Sequence, residues 1–400
     1  MASPSLTWLY SVQQFGIKPG LENTRRLLKE MQLPGPQQRF LHVAGTNGKG
    51  STCAFMESLL RAAGERTALF TSPHLVSWCE RIQVQGRMIP QAEADAGIDA
   101  IRQLVEPWRP HPTFFELTMM LALDWFERSG AESIVLETGM GGRWDATNAL
   151  TPVVSVLTAI GLDHEQWLGS TLAEIAAEKA GIIKPGIPVV SAPQEPEAEA
   201  VIRAAAAAAG APLTFITEPC DAPLPFPGGH QRWNAALAVA AVRTAGFRLT
   251  PSAVIAGLRS TVWPARFQKL QGGRLVIDGA HNPHATAALV AAWQDEFPDE
   301  KAAIVYSAVA ARDFRTTLAI LAPVSAAFYF VPLSSPRGLP VTELLAASPP
   351  EIPASSWKTL TEGLDAAANS NCRVLVCGSL YLCGEVLAME SGTPFEISGQ

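Results

Sequence analysis

The chain has 400 residues, nearly half of them apolar, which is more than one core comfortably holds and enough for two. Its net charge is −7 with no run of lysine or arginine, so neither nucleic acid nor a membrane surface is an expected partner, although local positive loops can still bind small anions. Cys53, Cys79, Cys220, Cys372, Cys377 and Cys383 lack metal-site spacing, and the first residues lack the basic-then-apolar pattern of a signal peptide; free thiols in a reducing, cytoplasmic compartment are expected. From residue 40 to about 260, strands are predicted at 40–43, 67–70, 133–136, 153–158 and 187–190, between helices at 52–63, 91–105, 115–128, 171–180, 196–209 and 232–245. The alanine run Ala204–Ala209 is too short to span a membrane, and the proline- and glycine-rich stretch 219–229 reads as a loop. A second series begins at Leu275, with strands at 274–277, 302–306, 326–331 and 373–377 and helices near 285–296, 313–321, 341–347 and 380–389. Such alternation predicts an α/β fold with parallel sheets covered on both faces, and Ser260–Phe267 fits a linker between the two series.

The most informative stretch is His42-Val43-Ala44-Gly45-Thr46-Asn47-Gly48-Lys49-Gly50-Ser51-Thr52. A strand, a glycine-rich turn and a helix N-terminus form an anion site, because backbone N–H groups converge and the helix dipole favours negative charge. Lys49 would supply the point charge for phosphates and Ser51 a hydroxyl for Mg²⁺. Val43 stands where the ordinary Walker A motif has its first glycine, and Gly50 follows the lysine where that motif has serine or threonine, so the loop is a variant. A glycine-rich strand–helix turn without phosphate chemistry is the plain alternative.

Ligands in open α/β sheets bind beyond the carboxyl ends of the strands. Here those ends carry the nucleotide loop, Thr71-Ser72-Pro73-His74, Glu137 with Gly139, Gly141 and Gly142, and Asp163-His164. Each alone reads as a capping or turn residue; together they read as one site. Glu137 sits where a carboxylate would hold Mg²⁺ against phosphate oxygens, with Ser51 and Ser72 beside it. His164 fits a second metal or a helix-start hydrogen bond. Thr171 and Glu174 make a capping box, and Leu172, Ile175 and Lys179 share one helical stripe. A lysine on that buried side has a depressed pKa and can add CO₂ to become a carbamate, although the pattern fits a snorkelling lysine, or one paired with Glu178, better. In the second series, Asp278-Gly279-Ala280-His281-Asn282-Pro283-His284 follows a strand; Ser334–Gly338, with Arg337 as a carboxylate fork, and Cys377-Gly378-Ser379 lie at other strand ends.

These motifs together resemble the Mur ligase superfamily, and within it the folylpolyglutamate synthase and dihydrofolate synthase family. The resemblance runs nearly end to end, through Gly16–Asn23, Gly45–Ser51, Thr71–Leu75, Phe115-Glu116, Leu136–Asn148, Leu162–His164, Glu178–Ile182, Arg266–Gln268, Asp278–Pro283 and Ser335–Gly338. It implies an N-terminal P-loop domain over 1–262, a linker over 263–272 and a smaller Rossmann-like C-terminal domain over 273–400. It also implies use of ATP and Mg²⁺ to join L-glutamate to the carboxylate of dihydropteroate or of a folate, through an acyl phosphate.

By the same resemblance, Gly45, Thr46, Asn47, Gly48, Lys49, Gly50, Ser51 and Thr52 hold the nucleotide, with Asn234, Arg266, Asp278 and His281 as further ATP contacts. Ser51, Ser72 and Glu137 would surround a first Mg²⁺; Glu137, His164 and a carbamylated Lys179 would serve a second. Phe115, Asp145 and Ala146 match positions near the pterin, and Arg337 and Ser379 would lie near the incoming glutamate. Because acyl phosphates hydrolyse in water, the two domains are expected to close over the site about a hinge at 260–268. A monomer is expected. Two departures stand out: Ala265 replaces a glycine usual in the family, which costs about 1 kcal/mol if its φ is positive, and the segment between Pro185 and Asn234 is short. The competing readings are a Mur ligase acting on a cell-wall precursor and an ATP-binding relative that has lost its chemistry.

Overall fold

A computed structural model describes residues 3–15, 20–310 and 312–397, so the first motif is described from Gly20 onward. Eight strands form the first sheet: β1 (Arg39–Ala44), β2 (Thr67–Phe70), β3 (Ile82–Val84), β4 (Arg87–Met88), β5 (Ser133–Glu137), β6 (Val154–Leu157), β7 (Val189–Ser191) and β8 (Leu213–Phe215). Their order is β4-β3-β2-β5-β1-β6-β7-β8. The six from β2 to β8 in that order pair in parallel, and β3 and β4 add an antiparallel edge. The parallel strands are apolar runs because both faces are covered; every residue of β2, β5, β6 and β7 is buried. The helix Lys49–Ala62, which follows β1, packs against the helices Gly229–Thr244 and Pro251–Arg259. Gly257 permits that approach, since a Cβ there would lie 2.9 Å from Leu59 Cα.

The second sheet contains β9 (Gln268–Leu270), β10 (Leu275–Ile277), β11 (Ala302–Tyr306), β12 (Ser325–Phe330), β13 (Ala354–Ser356) and β14 (Arg373–Cys377), in the order β13-β12-β11-β14-β10-β9. Only β9 is antiparallel. Its core gathers Trp293, Phe297, Phe328 and Phe330 on one face and Ile277, Val305 and Val376 on the other.

The fold is therefore α/β with parallel-dominated sheets, as the alternation predicted. The nine predicted strands and their intervening helices are present, with ends shifted by a few residues. The helix expected to start at 52 starts at Lys49, because Gly48 caps it in the left-handed conformation. Strands β3, β4, β8, β9 and β13 escaped the sequence reading, being only two or three residues long. Residues 268–270, placed in the linker, instead form β9 and belong to the second sheet, where Gln268 and Leu270 are half-buried beside β10. The stretch 219–229 is irregular up to Gly228, the N-cap of the helix Gly229–Thr244.

Candidate active site

Strand β1 ends at Ala44, in the middle of its sheet, where neighbours β5 and β6 lead away on either side. Gly45 (φ +153°) and Gly48 (φ +85°) shape the loop that follows. A Cβ on Gly45 would collide with Thr158 Oγ1, and one on Gly48 with Asn234 Oδ1, so the glycines bring Asn234 against the loop. Lys49 Nζ folds back to donate to the carbonyls of Gly45 (3.1 Å) and Thr46 (3.2 Å). Ser51 Oγ and Thr52 Oγ1 are buried with no hydrogen-bond partner. Such orphaned hydroxyls at a helix N-terminus fit a bound phosphate–cation pair, which would satisfy them.

Glu137 closes β5, only 4% exposed, and its Oε2 accepts from Ser72 N at 3.0 Å. Burial raises its pKa, against the opposing pull of Lys49, the Ser72 N–H, Arg266 and Arg81. Among the described residues no three His, Cys, Asp or Glu side chains are grouped to hold a metal. A cation beside Glu137 would complete its shell with hydroxyl, phosphate and water oxygens, the donor set that Mg²⁺ prefers.

Lys179 is 4% exposed and donates from Nζ to the Gly45 carbonyl at 2.8 Å. It neither snorkels nor pairs with Glu178, which binds Arg143 at 3.3 Å instead. Burial, followed by the charge of Lys49, holds its pKa well below the usual lysine range. His164 has φ +53° and precedes the helix Glu165–Leu168, but its ring caps nothing. Its pKa is pushed down to about 4 by burial, then by Lys49, Lys179, His281 and Arg337.

The second unit reaches this place through two loops. After β10, Asp278 turns the chain by accepting from Phe267 N and Ala280 N, both at 2.8 Å. His281 Nδ1 donates to the Gly279 carbonyl at 2.7 Å, and Asn282 Nδ2 donates to Asn47 Oδ1 at 3.0 Å and to Asp163 Oδ2 at 3.2 Å. After β11, Arg312 forms an ion pair with Asp163 and lies 3.3 Å from His164 Nε2. Arg312 lies in none of the motifs, and the motifs that contain Asn282 and Asp163 assign them no role. Asp163 and Asn282 were at strand ends, the signal used for their neighbours; Arg312 had only its position beyond a predicted strand.

Arg266 donates to its neighbour's carbonyl at 2.8 Å and lies against Gly279. Asn234 donates to Gln231 at 3.0 Å. Phe115 lies over Gly139, where a Cβ would be 2.8 Å from the ring. Asp145 is 7% exposed and accepts from Gly139 N, Met140 N and Thr147 N, so it shapes the loop beside Phe115, with Ala146 buried next to it. Ser379 caps the helix Leu380–Ser391, and Arg337 is exposed but close enough to His164 to lower its pKa.

A P-loop sheet that presents a buried carboxylate and lysine to loops from a second parallel sheet defines an ATP-dependent ligase of the Mur type. The Mur ligase middle domain matches residues 43–215, and the Mur ligase glutamate ligase domain matches residues 265–380. The dihydrofolate synthase/folylpolyglutamate synthase of Bacillus subtilis is 34% identical, over 95% of this chain and 97% of that one. That of Escherichia coli is also 34% identical, over 96% and 95%. The structure of E. coli FolC in complex with DHPP and ADP superposes with a TM-score of 0.87 at 32% identity, covering 98% of each chain. A bifunctional folylpolyglutamate synthase/dihydrofolate synthase with Mn, AMPPNP and L-glutamate bound gives 0.86 at 29% identity, also covering 98% of each. The chain belongs to the folylpolyglutamate synthase/dihydrofolate synthase family of Mur ligases.

Proposed function

We propose that this ligase uses ATP and Mg²⁺ to join L-glutamate to dihydropteroate and to the glutamate chain of (tetrahydro)folates, passing through an acyl phosphate. One observation carries the reading: Glu137, Lys179 and the orphaned Ser51 hydroxyl surround a nucleotide loop that a second unit faces. The relatives' names, and the DHPP, glutamate and nucleotide in the related structures, support the substrates. They also favour this reading over a cell-wall ligase, while the presence of every expected polar side chain disfavours an inactive relative.

In this reading residues 1–262 bind nucleotide, the unit that begins with β9 at Gln268 binds glutamate, and residues 263–267 join them. The protein works as a cytoplasmic monomer. No helix among the described residues is long and apolar enough to cross a membrane.

The chemical difficulty is bringing a carboxylate onto a triphosphate of the same charge. Divalent cations, when bound, neutralise that charge and hold the phosphoryl oxygens in line. Lys49 leaves its two carbonyl partners for the terminal phosphates, and the loop N–H groups hold them from below. Ser51, Ser72 and Glu137 would provide oxygen to one cation; Glu137, His164 and Lys179, if carbamylated, would serve another. His164 is suited to this because it is neutral at physiological pH. Asn234, Arg266, Asp278 and His281 grip the nucleotide from its other side. Phe115, Asp145 and Ala146 seat the pterin end, while Arg337 and Ser379 receive the glutamate carboxylates. Closure of the second unit excludes water, which preserves the acyl phosphate until the amine attacks.

Glutamate-dependent release of ADP, measured side by side with dihydropteroate and with tetrahydrofolate, tests the reading. Incorporation of labelled glutamate with both acceptors is expected. Nucleotide turnover without incorporation into either would refute it.

A further inference from the structure

The loop between β2 and β3 starts in the first unit but is held by the second. Leu75 packs into the second unit's core beside Leu382, Cys383 and Val386. A Cβ on Gly384 would collide with the Leu75 carbonyl and would lie 3.1 Å from the Phe395 ring, so helix, loop and the segment 393–397 are in close contact. Glu396 forms the polar part of this junction. Its Oε2 accepts from Trp78 N at 2.6 Å and from Ser77 Oγ at 3.2 Å. Its backbone N donates to Val76 O at 2.9 Å, and its backbone O accepts from His74 Nε2 at 3.2 Å. His74 Nδ1 in turn accepts from Arg81 Nε at 2.9 Å.

The loop is stiff internally. Glu80 accepts from the backbone N–H groups of Leu75, Val76 and Ser77, and Thr71 N donates to Arg81 O at 3.1 Å. A displacement at Trp78 is therefore carried to Ser72, whose N–H holds Glu137. Arg81, fully buried, also contributes to the charge felt by Glu137. We infer that Glu396, supplied by the second unit, is a positioning residue for Glu137: it fixes the 71–81 loop so that Ser72 meets the carboxylate that binds the cation. This rests on the proposed role of Glu137 as a cation ligand. It means that movement of the second unit carries the cation site with it.

The test compares Glu396→Ala, Glu396→Gln and Glu390→Ala with the unaltered chain. Glu390, on the helix Leu380–Ser391 that precedes Glu396, accepts from Gln271 Nε2 at 2.8 Å and serves as the control. In Glu396→Ala, hydrogen exchange at Ser72 and at residues 76–79 should quicken about tenfold, the loss of one hydrogen bond. The Mn²⁺ concentration that half-fills the site with ATP analogue bound, read by electron paramagnetic resonance, should rise severalfold. The kcat should fall about tenfold with little change in KM for ATP. Glu396→Gln keeps an acceptor oxygen and should restore most of each. Glu396→Asp, which draws the carboxylate back from Trp78 N while keeping the segment's backbone bonds, carries the same test should the alanine variant not fold. Unchanged exchange, or faster exchange with unchanged Mn²⁺ affinity, overturns the inference. A wild-type enzyme that joins no glutamate to either folate acceptor defeats the proposed function instead, and leaves the exchange and Mn²⁺ readouts to decide the role of Glu396.

Discussion

Lys179 Nζ lies 2.8 Å from the carbonyl oxygen of Gly45, so the buried amine is tied to the nucleotide loop by the loop's own backbone. Across 134 positions of sequence, a helix end and a strand end are thereby brought to one point. A neutral amine at that point can accept CO₂ and present two oxygens towards the loop.

Replacing Lys179 should separate chemistry from stability. Lys179→Met keeps the volume and removes the amine; ligation should fall by at least about a hundredfold, roughly 3 kcal/mol of barrier. Folding stability should change by only about 1 kcal/mol, because the lost hydrogen bond is offset by the relief of a buried amine. A carbamate carbon signal from ¹³C-labelled bicarbonate should be present in the wild type and absent in the variant. Acetate should partly restore Lys179→Ala; full activity without it would exclude a carbamate role.

Glu137→Gln should remove the metal-dependent effects while retaining the fold. Its carboxylate is buried, and an amide oxygen can take its place as the acceptor from Ser72 N. The melting midpoint without ligands should stay level or rise, since an amide costs less to bury than a carboxylate. The added stabilisation by Mg²⁺ and ATP should shrink sharply, as thermal unfolding with and without them would show.

His42 should make the fold acid-sensitive. It is 1% exposed in β1, its Nε2 is 2.7 Å from Thr147 Oγ1, and burial, then Lys184, pushes its pKa down to about 3 from an ordinary 6.5. The folded state therefore stays neutral while the unfolded chain takes up a proton. This stability is fully present above about pH 6.5 and is lost as pH falls towards 3, by about 1.4 kcal/mol per unit. Urea unfolding at pH 7 and pH 5 should show that loss, and His42→Gln should remove about that much of the slope.

Ala265 has φ +55° and is fully buried. Its N–H donates to Gln268 Oε1 at 2.9 Å and its carbonyl accepts from Gly279 N at 2.9 Å, which holds the strained turn in place. Ala265→Gly relieves about 1–2 kcal/mol of left-handed strain but loses a buried methyl worth about 0.8 kcal/mol and loosens the unfolded chain. Stability should thus change by less than about 1 kcal/mol. Ala265→Val, with a branched side chain at positive φ, should cost more than about 2 kcal/mol by chemical denaturation.

Much of the site was readable before folding because its parts are contiguous. The run from His42 to Thr52 encodes strand, turn and helix start in eleven residues, and each element follows from local chemistry. Glu137, Asp163 and Asp278 stood out as polar residues at the ends of apolar runs. The short strands were not readable, because two or three residues carry no period. From its helix alone Lys179 fits a snorkelling amine or a partner of Glu178; the fold instead buries the amine and gives that carboxylate to Arg143.

Sequence patterns were enough for the two α/β series, the nucleotide loop and the family, since these depend on neighbours along the chain. Which residues meet across the two units was decided by packing. Arg312 reaches Asp163, Asn282 reaches Asn47 and Glu396 reaches Trp78, each across more than a hundred positions. No local window contains those pairs. They exist because the faces of two separately built sheets bring their loops together, and their strength depends on the burial that this contact creates.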